Sequence, residues 1–283
     1  MWEKGAENDL GILDNLNNAL QTWNDKLAEI WGLLTTSPES FRGGSIWSVM
    51  VDINGALQAI GYALLVLFFV VGMVRSTVNL QEIKRPEVAL RLFIRFALAK
   101  AAVTWGMTLI TSIFSICQGI ITTAANSAGA VTETALPQEM IDAVNSLGFF
   151  ESIPVWAVSL IGSLFIIVLS FIMLMTVYGR FFKLYIYAAI APIPLSTFAG
   201  EGMSSTGKAF LKSYAGVCME GAIIVLACVI FSVFASSPPT VPVDASATTI
   251  VWSYLGELIF NLLVLVGTVK MADRLTKEIL GIN

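Results

Sequence analysis

The chain has 283 residues, of which 56% are hydrophobic and only 13% charged, whereas ordinary soluble domains carry roughly a quarter charged residues. A mean hydropathy of +0.79 excludes a soluble globular domain and points to a chain dominated by membrane segments. The net charge of −4 comes without a basic block that would mark a nucleic-acid surface, and the lack of histidine removes the commonest general base and metal ligand.

The opening stretch "MWEKGAENDLGILDNLNNAL" is acidic and amphipathic, whereas a secretory signal needs a basic start and a short apolar core. The chain is therefore expected to begin at Met1 and to insert through its own transmembrane helices. Leu13, Leu16, Leu20, Trp23, Leu27, Ile30 and Leu34 then recur at alternating spacings of three and four. That spacing predicts a helix with an apolar seam like a coiled-coil stripe, with Asn15, Asn18, Asp25, Lys26 and Glu29 on its polar face. Ser37-Pro38 and Gly43-Gly44 end it. Two readings stand open: a helix lying on the outer membrane surface or on the transmembrane core, and a helix packing on neighbouring subunits or an external partner.

Apolar runs long enough to span, about 20 residues each, lie near 53–74, 96–121, 154–178, 214–236 and 250–271. Residues 1–52 are thus expected to form an extracytoplasmic region and 53–283 a transmembrane domain. A sixth run, 181–199, carries Pro192 and Pro194. Flanking charge decides its reading, because Lys and Arg accumulate in cytoplasmic loops. Arg75, Lys84, Arg85, Arg91, Arg95 and Lys100 cluster after the first run. The 122–153 loop and the "SPPTVPVDASATT" segment have no Lys or Arg, whereas Arg180, Lys183, Lys208 and Lys212 flank the proline-bearing run on both sides. The consistent arrangement is an all-α polytopic membrane protein with five spans, the N-terminus outside and the C-terminus inside. Residues 181–212 then form a re-entrant or interfacial hairpin, broken by prolines that lack a backbone donor and turned by Gly200 and Gly202. The rival arrangement makes 181–199 a sixth, kinked span and tolerates one charge violation.

In the outer loop, "LPQEMIDAVNSLGFF" predicts a short helix: Pro137 suits a first turn, and Glu139 and Asp142 lie near the positive end. Charges inside the bilayer are costly and therefore default functional candidates. Lys100 lies near the inner end of the second run, where its stem can snorkel or pair with Glu220 at similar depth. Glu257 and Asn261 share a face of the last run, which suits a lumen, a subunit contact or a buried hydrogen bond. The five cations Arg75, Lys84, Arg85, Arg91 and Arg95 fit lipid headgroups or acidic partner surfaces better than direct DNA contact. Cys117, Cys218 and Cys228 fall inside apolar runs and read as structural.

A solute transporter usually shows several intramembrane acids and paired broken helices; here one broken segment stands without a counterpart. "GKAFLK" lacks the glycine spacing of a phosphate loop. No enzymatic activity is expected.

The stretch "RFFKLYIYAAIAPIPLSTFAGEGMSSTGKAFLKSYAGVCMEGAIIVL", residues 180–226, resembles the central region of the TrbL/VirB-six polytopic proteins of type IV secretion and conjugation. The likeness is closest to compact forms from Gram-positive conjugative elements. It lies in a basic start, a small-residue run ending in an "APxPL"-like break, a Phe, a Gly-rich turn and the entry into the next apolar run. The resemblance implies a homo-oligomeric cytoplasmic-membrane subunit that contacts other secretion membrane subunits, the energising ATPases and membrane lipids, on the route of relaxase-bound single-stranded DNA. No cofactor is expected beyond a bound phospholipid. A small-solute or ion transporter, or a pore-forming protein, is the competing expectation.

The five-span arrangement makes a direct prediction. A membrane-impermeant thiol reagent added outside intact cells labels Ser246→Cys and leaves Ser204→Cys unlabelled until the membrane is permeabilised; outside labelling at 204 contradicts the arrangement.

Overall fold

The computed structural model describes residues 11–76, 86–128, 133–234 and 246–282. Among them the chain forms nine α-helices, two short 3-10 turns and no strand. Five helices are long and apolar enough to cross a membrane. The chain divides into two compact units, each assembled from separated stretches of sequence.

The first unit holds α1 (Ile12–Thr35) up to Leu34 and α5 (Gln138–Asn145). It also holds the 149–177 part of α6 (Phe149–Ile190), the 223–234 part of α8 (Ser204–Phe234) and α9 (Ala247–Leu280) up to Ala272. The predicted seam of α1 is turned inward: Leu16, Leu20, Trp23, Leu27, Ile30 and Leu34 are all buried, and Leu13 is half-buried beside a buried Ile12. Ile12 and Leu16 pack with Met140 and Val144 of α5, Val155 of α6, and Val251 and Leu255 of α9. Polar bonds fix the helix in place. Asn24 donates to the Thr134 carbonyl at 2.9 Å and accepts from the Thr134 amide at 3.0 Å, and Ser163 donates to the Asn15 carbonyl at 2.9 Å. A Cβ at Gly162 would lie 2.9 Å from the Leu255 side chain, so the glycine keeps α6 and α9 in close contact there. The seam is thus occupied by the chain's own membrane helices. Contact through it with a neighbouring subunit is corrected, because an apolar stripe already buried has nothing left to offer.

The second unit holds α2 (Ser45–Ser76), α3 (Pro86–Thr104) and α4 (Gly106–Ala128) up to Thr123. The 178–190 end of α6, α7 (Pro192–Ser196), α8 up to Ala222 and α9 from Asp273 complete it. Its entry is an aromatic knot: Phe41, in the 3-10 turn Phe41–Gly44, stacks on Phe181 with ring centres 4.2 Å apart, and the Tyr185 hydroxyl donates to the Pro38 carbonyl at 3.0 Å. Its core runs from Leu65 through Ala99, Val103, Ile110 and Phe114 to Leu195 and Tyr214.

Two predicted boundaries change. The second apolar run, placed at 96–121, becomes a membrane-length helix over Gly106–Ser127, because Arg91, Arg95 and Lys100 load α3 with charge. The hairpin predicted at 181–212 is built from ordinary helix ends. The α6 helix continues unbroken to Ile190, and its 42 residues give about 63 Å, twice the hydrocarbon thickness. Antiparallel to it, α8 brings Phe210 and Tyr214 onto Tyr187, with ring centres 5.3 and 5.8 Å apart. Between the two arms, Pro192 opens α7 as a first-turn residue, a place proline tolerates. A 3-10 turn follows at Thr197–Ala199, Gly200 is extended, and Gly202 adopts φ +75°, where a side chain is strained. The prolines redirect a helix instead of leaving irregular backbone.

Candidate functional site

Pro192 has no backbone N–H, so the Ala188 carbonyl one turn earlier loses its helical partner. Asn54 of α2 supplies the missing donor: its side-chain amide, only 6% exposed, donates to the Ala188 oxygen at 2.6 Å. The break and α2 are therefore one construction. Four residues on, Gln58 donates to the Val103 and Thr104 carbonyls at 3.0 Å each, tying α2 to the end of α3.

Glycines let the backbones meet. A Cβ at Gly61 would lie 2.9 Å from the Pro192 oxygen, and one at Gly72 would lie 2.7 Å from the Glu201 nitrogen. The two glycines are three turns apart on one face of α2, so α2 lies lengthwise along the break. At the head of α4, a Gly106 Cβ would sit 2.9 Å from a Leu195 methyl, and a Gly200 Cβ would sit 3.2 Å from the Phe68 oxygen. Pro192 and Gly200 are buried, Pro194 is half-buried and Gly202 exposed. Arg95 approaches Glu201 at 3.9 Å across the same surface.

An ionic cluster joins the other helices of this unit. Glu220 of α8, with a side chain only 4% exposed, takes Lys183 of α6 at 3.3 Å. Lys183 also reaches Asp273 of α9 at 3.1 Å, and Lys277 pairs with Asp273 at 2.8 Å. The partner expected for Glu220 was Lys100; that is corrected, since Lys100 lies exposed on α3 while Lys183 comes from the helix packed against α8. Removing Lys183, which is partly exposed, would leave the buried Glu220 carboxylate without its counter-charge.

Arg180, one turn before Lys183, is 1% exposed. It donates to the Val217 and Cys218 carbonyls at 3.2 and 3.1 Å, its charged carbon lies 5.9 Å from the Phe114 ring centre, and its Nη1 finds no acceptor. Gly221 makes room for it, since a Cβ there would lie 2.6 Å from Nη1.

Glu257 and Asn261 are half-buried on one face of α9 in the first unit, and neither belongs to the ionic cluster. Arg91 is exposed and Arg95 half-buried. Of Arg75 only the backbone is described, and Lys84 and Arg85 lie outside the described residues. Among the described residues no group of three or more His, Cys, Asp or Glu side chains is arranged to hold a metal ion.

Sequence reasoning counted Arg180 and Lys183 only as topology charges and passed over Asn54. The signal was present: an amide at 54 and another at 58, one turn apart inside an apolar run, mark polar groups that need partners in the membrane.

The family model described as "TrbL/VirB6 plasmid conjugal transfer like protein" matches residues 23–192. The chain belongs to the TrbL/VirB6 family. No curated protein and no solved structure matches it. The matched region runs from the middle of α1 to Pro192 and takes in Asn54, Gly61, Gly72, Gly106, Arg180 and Lys183. It moves the family likeness toward the N-terminus, because of the 180–226 stretch that carried the resemblance only 180–192 lie inside it.

Two stability tests follow, read as unfolding midpoints of the purified protein in detergent. Asn54→Ala leaves the Ala188 carbonyl unpaired and costs about 1–3 kcal/mol. Pro192→Ala restores an N–H to that carbonyl, so the Asn54 loss shrinks in the Pro192→Ala background; strict additivity contradicts the pairing. Gly221→Ala forces its methyl into Arg180 and destabilises by about 1–3 kcal/mol. Gly216→Ala, whose nearest neighbour would lie at an ordinary 3.5 Å, is neutral or stabilises by up to about 1 kcal/mol.

Proposed function

We propose that this multi-pass membrane protein is a homo-oligomeric channel or scaffold subunit of a type IV secretion apparatus, and that it contributes to moving relaxase-bound single-stranded DNA across the cytoplasmic membrane. One observation carries the reading: the conjugal-transfer family match spans most of the helical framework, from α1 to the end of α6. The protein acts in this reading as a structural component without a reaction of its own. Its partners are further copies of itself, the other membrane subunits and ATPases of the apparatus, and lipid headgroups around the basic 75–95 segment. The charge distribution supports an outside N-terminus and an inside C-terminus. The break between α6 and α8 packs lengthwise along α2, from Asn54 against Ala188 to Gly72 against Glu201, and gives a stiff surface for partners.

Deleting the gene from its conjugative element abolishes plasmid transfer, and the full-length chain supplied in trans restores it. Complementation with Pro192→Ala is weaker than with Cys228→Ala, scored as transconjugants per donor. Unchanged transfer after deletion contradicts the proposed function, and equal complementation contradicts a role for the break.

A further inference from the structure

We propose that the exposed hydroxyl face of α4 lines an aqueous path enclosed between copies of this chain, an inference that rests on the homo-oligomeric channel reading above. The α4 helix presents three faces. Ile110, Phe114, Cys117 and Ile121 are buried on the first. Ile120 stands exposed on the second, and Trp105 and Ile116, 65% and 69% exposed, lie at its border with the third. Thr108, Ser112, Ser115, Gly119 and Thr123 recur every three or four residues on the third, and all five are exposed; Thr104, one turn before them, is tied to the Tyr62 hydroxyl of α2 at 3.0 Å. The Trp105 joint does not disturb this register: its amide donates to the Ala101 carbonyl and its carbonyl accepts from Leu109, both at 2.9 Å, so the helical path runs on from α3.

Exposure of these hydroxyls reflects where the fold aims α4, not composition alone. In α6 the serines Ser159, Ser163 and Ser170 are buried, while the exposed side of that helix carries Ile161, Leu164, Phe165 and Val168. An apolar face of that kind suits lipid; a hydroxyl face does not, and polar groups at membrane depth face protein or water.

Length and hydrogen-bond chemistry choose water. Thr108 to Thr123 covers about 23 Å along the axis, about three quarters of the hydrocarbon thickness. Close helix crossings through small residues, inclined near 40°, touch over only a few turns. Ser112 and Thr123 each donate to the carbonyl four residues back, at 2.7 Å, so their outward oxygens serve as acceptors. Water brings donors to those oxygens along the length of the face. The lining carries no acid or base between Lys100 at one end and Thr123 at the other, which suits passage of a highly charged polymer without a fixed counter-charge to hold it.

The test uses the full-length protein in conjugating cells, with cysteine placed singly at Ser112, Ser115 or Ile120. Labelling by an externally added, membrane-impermeant methanethiosulfonate is measured against the parent chain, whose three cysteines are buried. Ser112→Cys and Ser115→Cys are expected to react at least tenfold faster than Ile120→Cys, and co-isolation of several copies confirms that each variant still assembles. Equal rates at the three positions overturn the proposal. Efficient spontaneous disulfide linkage of Ser112→Cys between copies, with slow labelling, also overturns it by placing the face in a dry subunit contact. Failure here while gene deletion still abolishes transfer removes the α4 assignment alone; unchanged transfer on deletion removes the channel reading itself.

Discussion

A proline in a membrane-length helix leaves a carbonyl without a partner, and in a hydrocarbon setting that carbonyl must find a donor inside the protein. Here Asn54 answers Pro192 by donating to Ala188, and the arrangement of the second unit follows from the distance that bond requires. For an asparagine side chain to reach a helix backbone, α2 must lie close along the break. Gly61 and Gly72 permit the approach, Gly106 admits Leu195 from the α4 side, and Gln58 holds the end of α3 in the same place. A polar bond thus sets where an apolar core forms.

The ionic cluster obeys a related economy. Three helices that converge at one level carry Lys183, Glu220 and Asp273, and each charge finds an opposite charge on another helix. Arg180 is more fully buried and leans on helix carbonyls and an aromatic face instead of a carboxylate, with its Nη1 left without an acceptor. An arginine can do this because its guanidinium is planar, weakly hydrated and rich in donors, whereas a lysine would lose most of those contacts. A glycine at 221 leaves the space it occupies, and the two carbonyls take its donors.

Polar side chains point inward on some helices and outward on another. The amides on α2 and the serines on α6 are turned inward and hold the chain together. The hydroxyls Thr108, Ser112 and Ser115 on α4 are turned outward. In a membrane protein the apolar outer surface is the unmarked state, so an outward polar stripe carries information that an outward polar residue on a soluble protein does not.

Composition and spacing were enough to read a helical membrane protein, the five membrane-length helices, the seam of α1 and the short α5 helix, because each rests on a local period or on run length, both properties of neighbouring residues. Charge in the loops sorted the segments by side, and the proline pair marked the break. The partners of the polar residues were not legible. Glu220 was matched to Lys100 by depth alone, and the pairing with Lys183 depends on which helices lie against α8. Asn54 and Ala188 are 134 positions apart, and no local pattern couples a lost amide to the side chain that replaces it. The tertiary structure alone decided these matches and the direction of each helical face, because a helix's period says that it has faces, and only its neighbours determine which of them is covered.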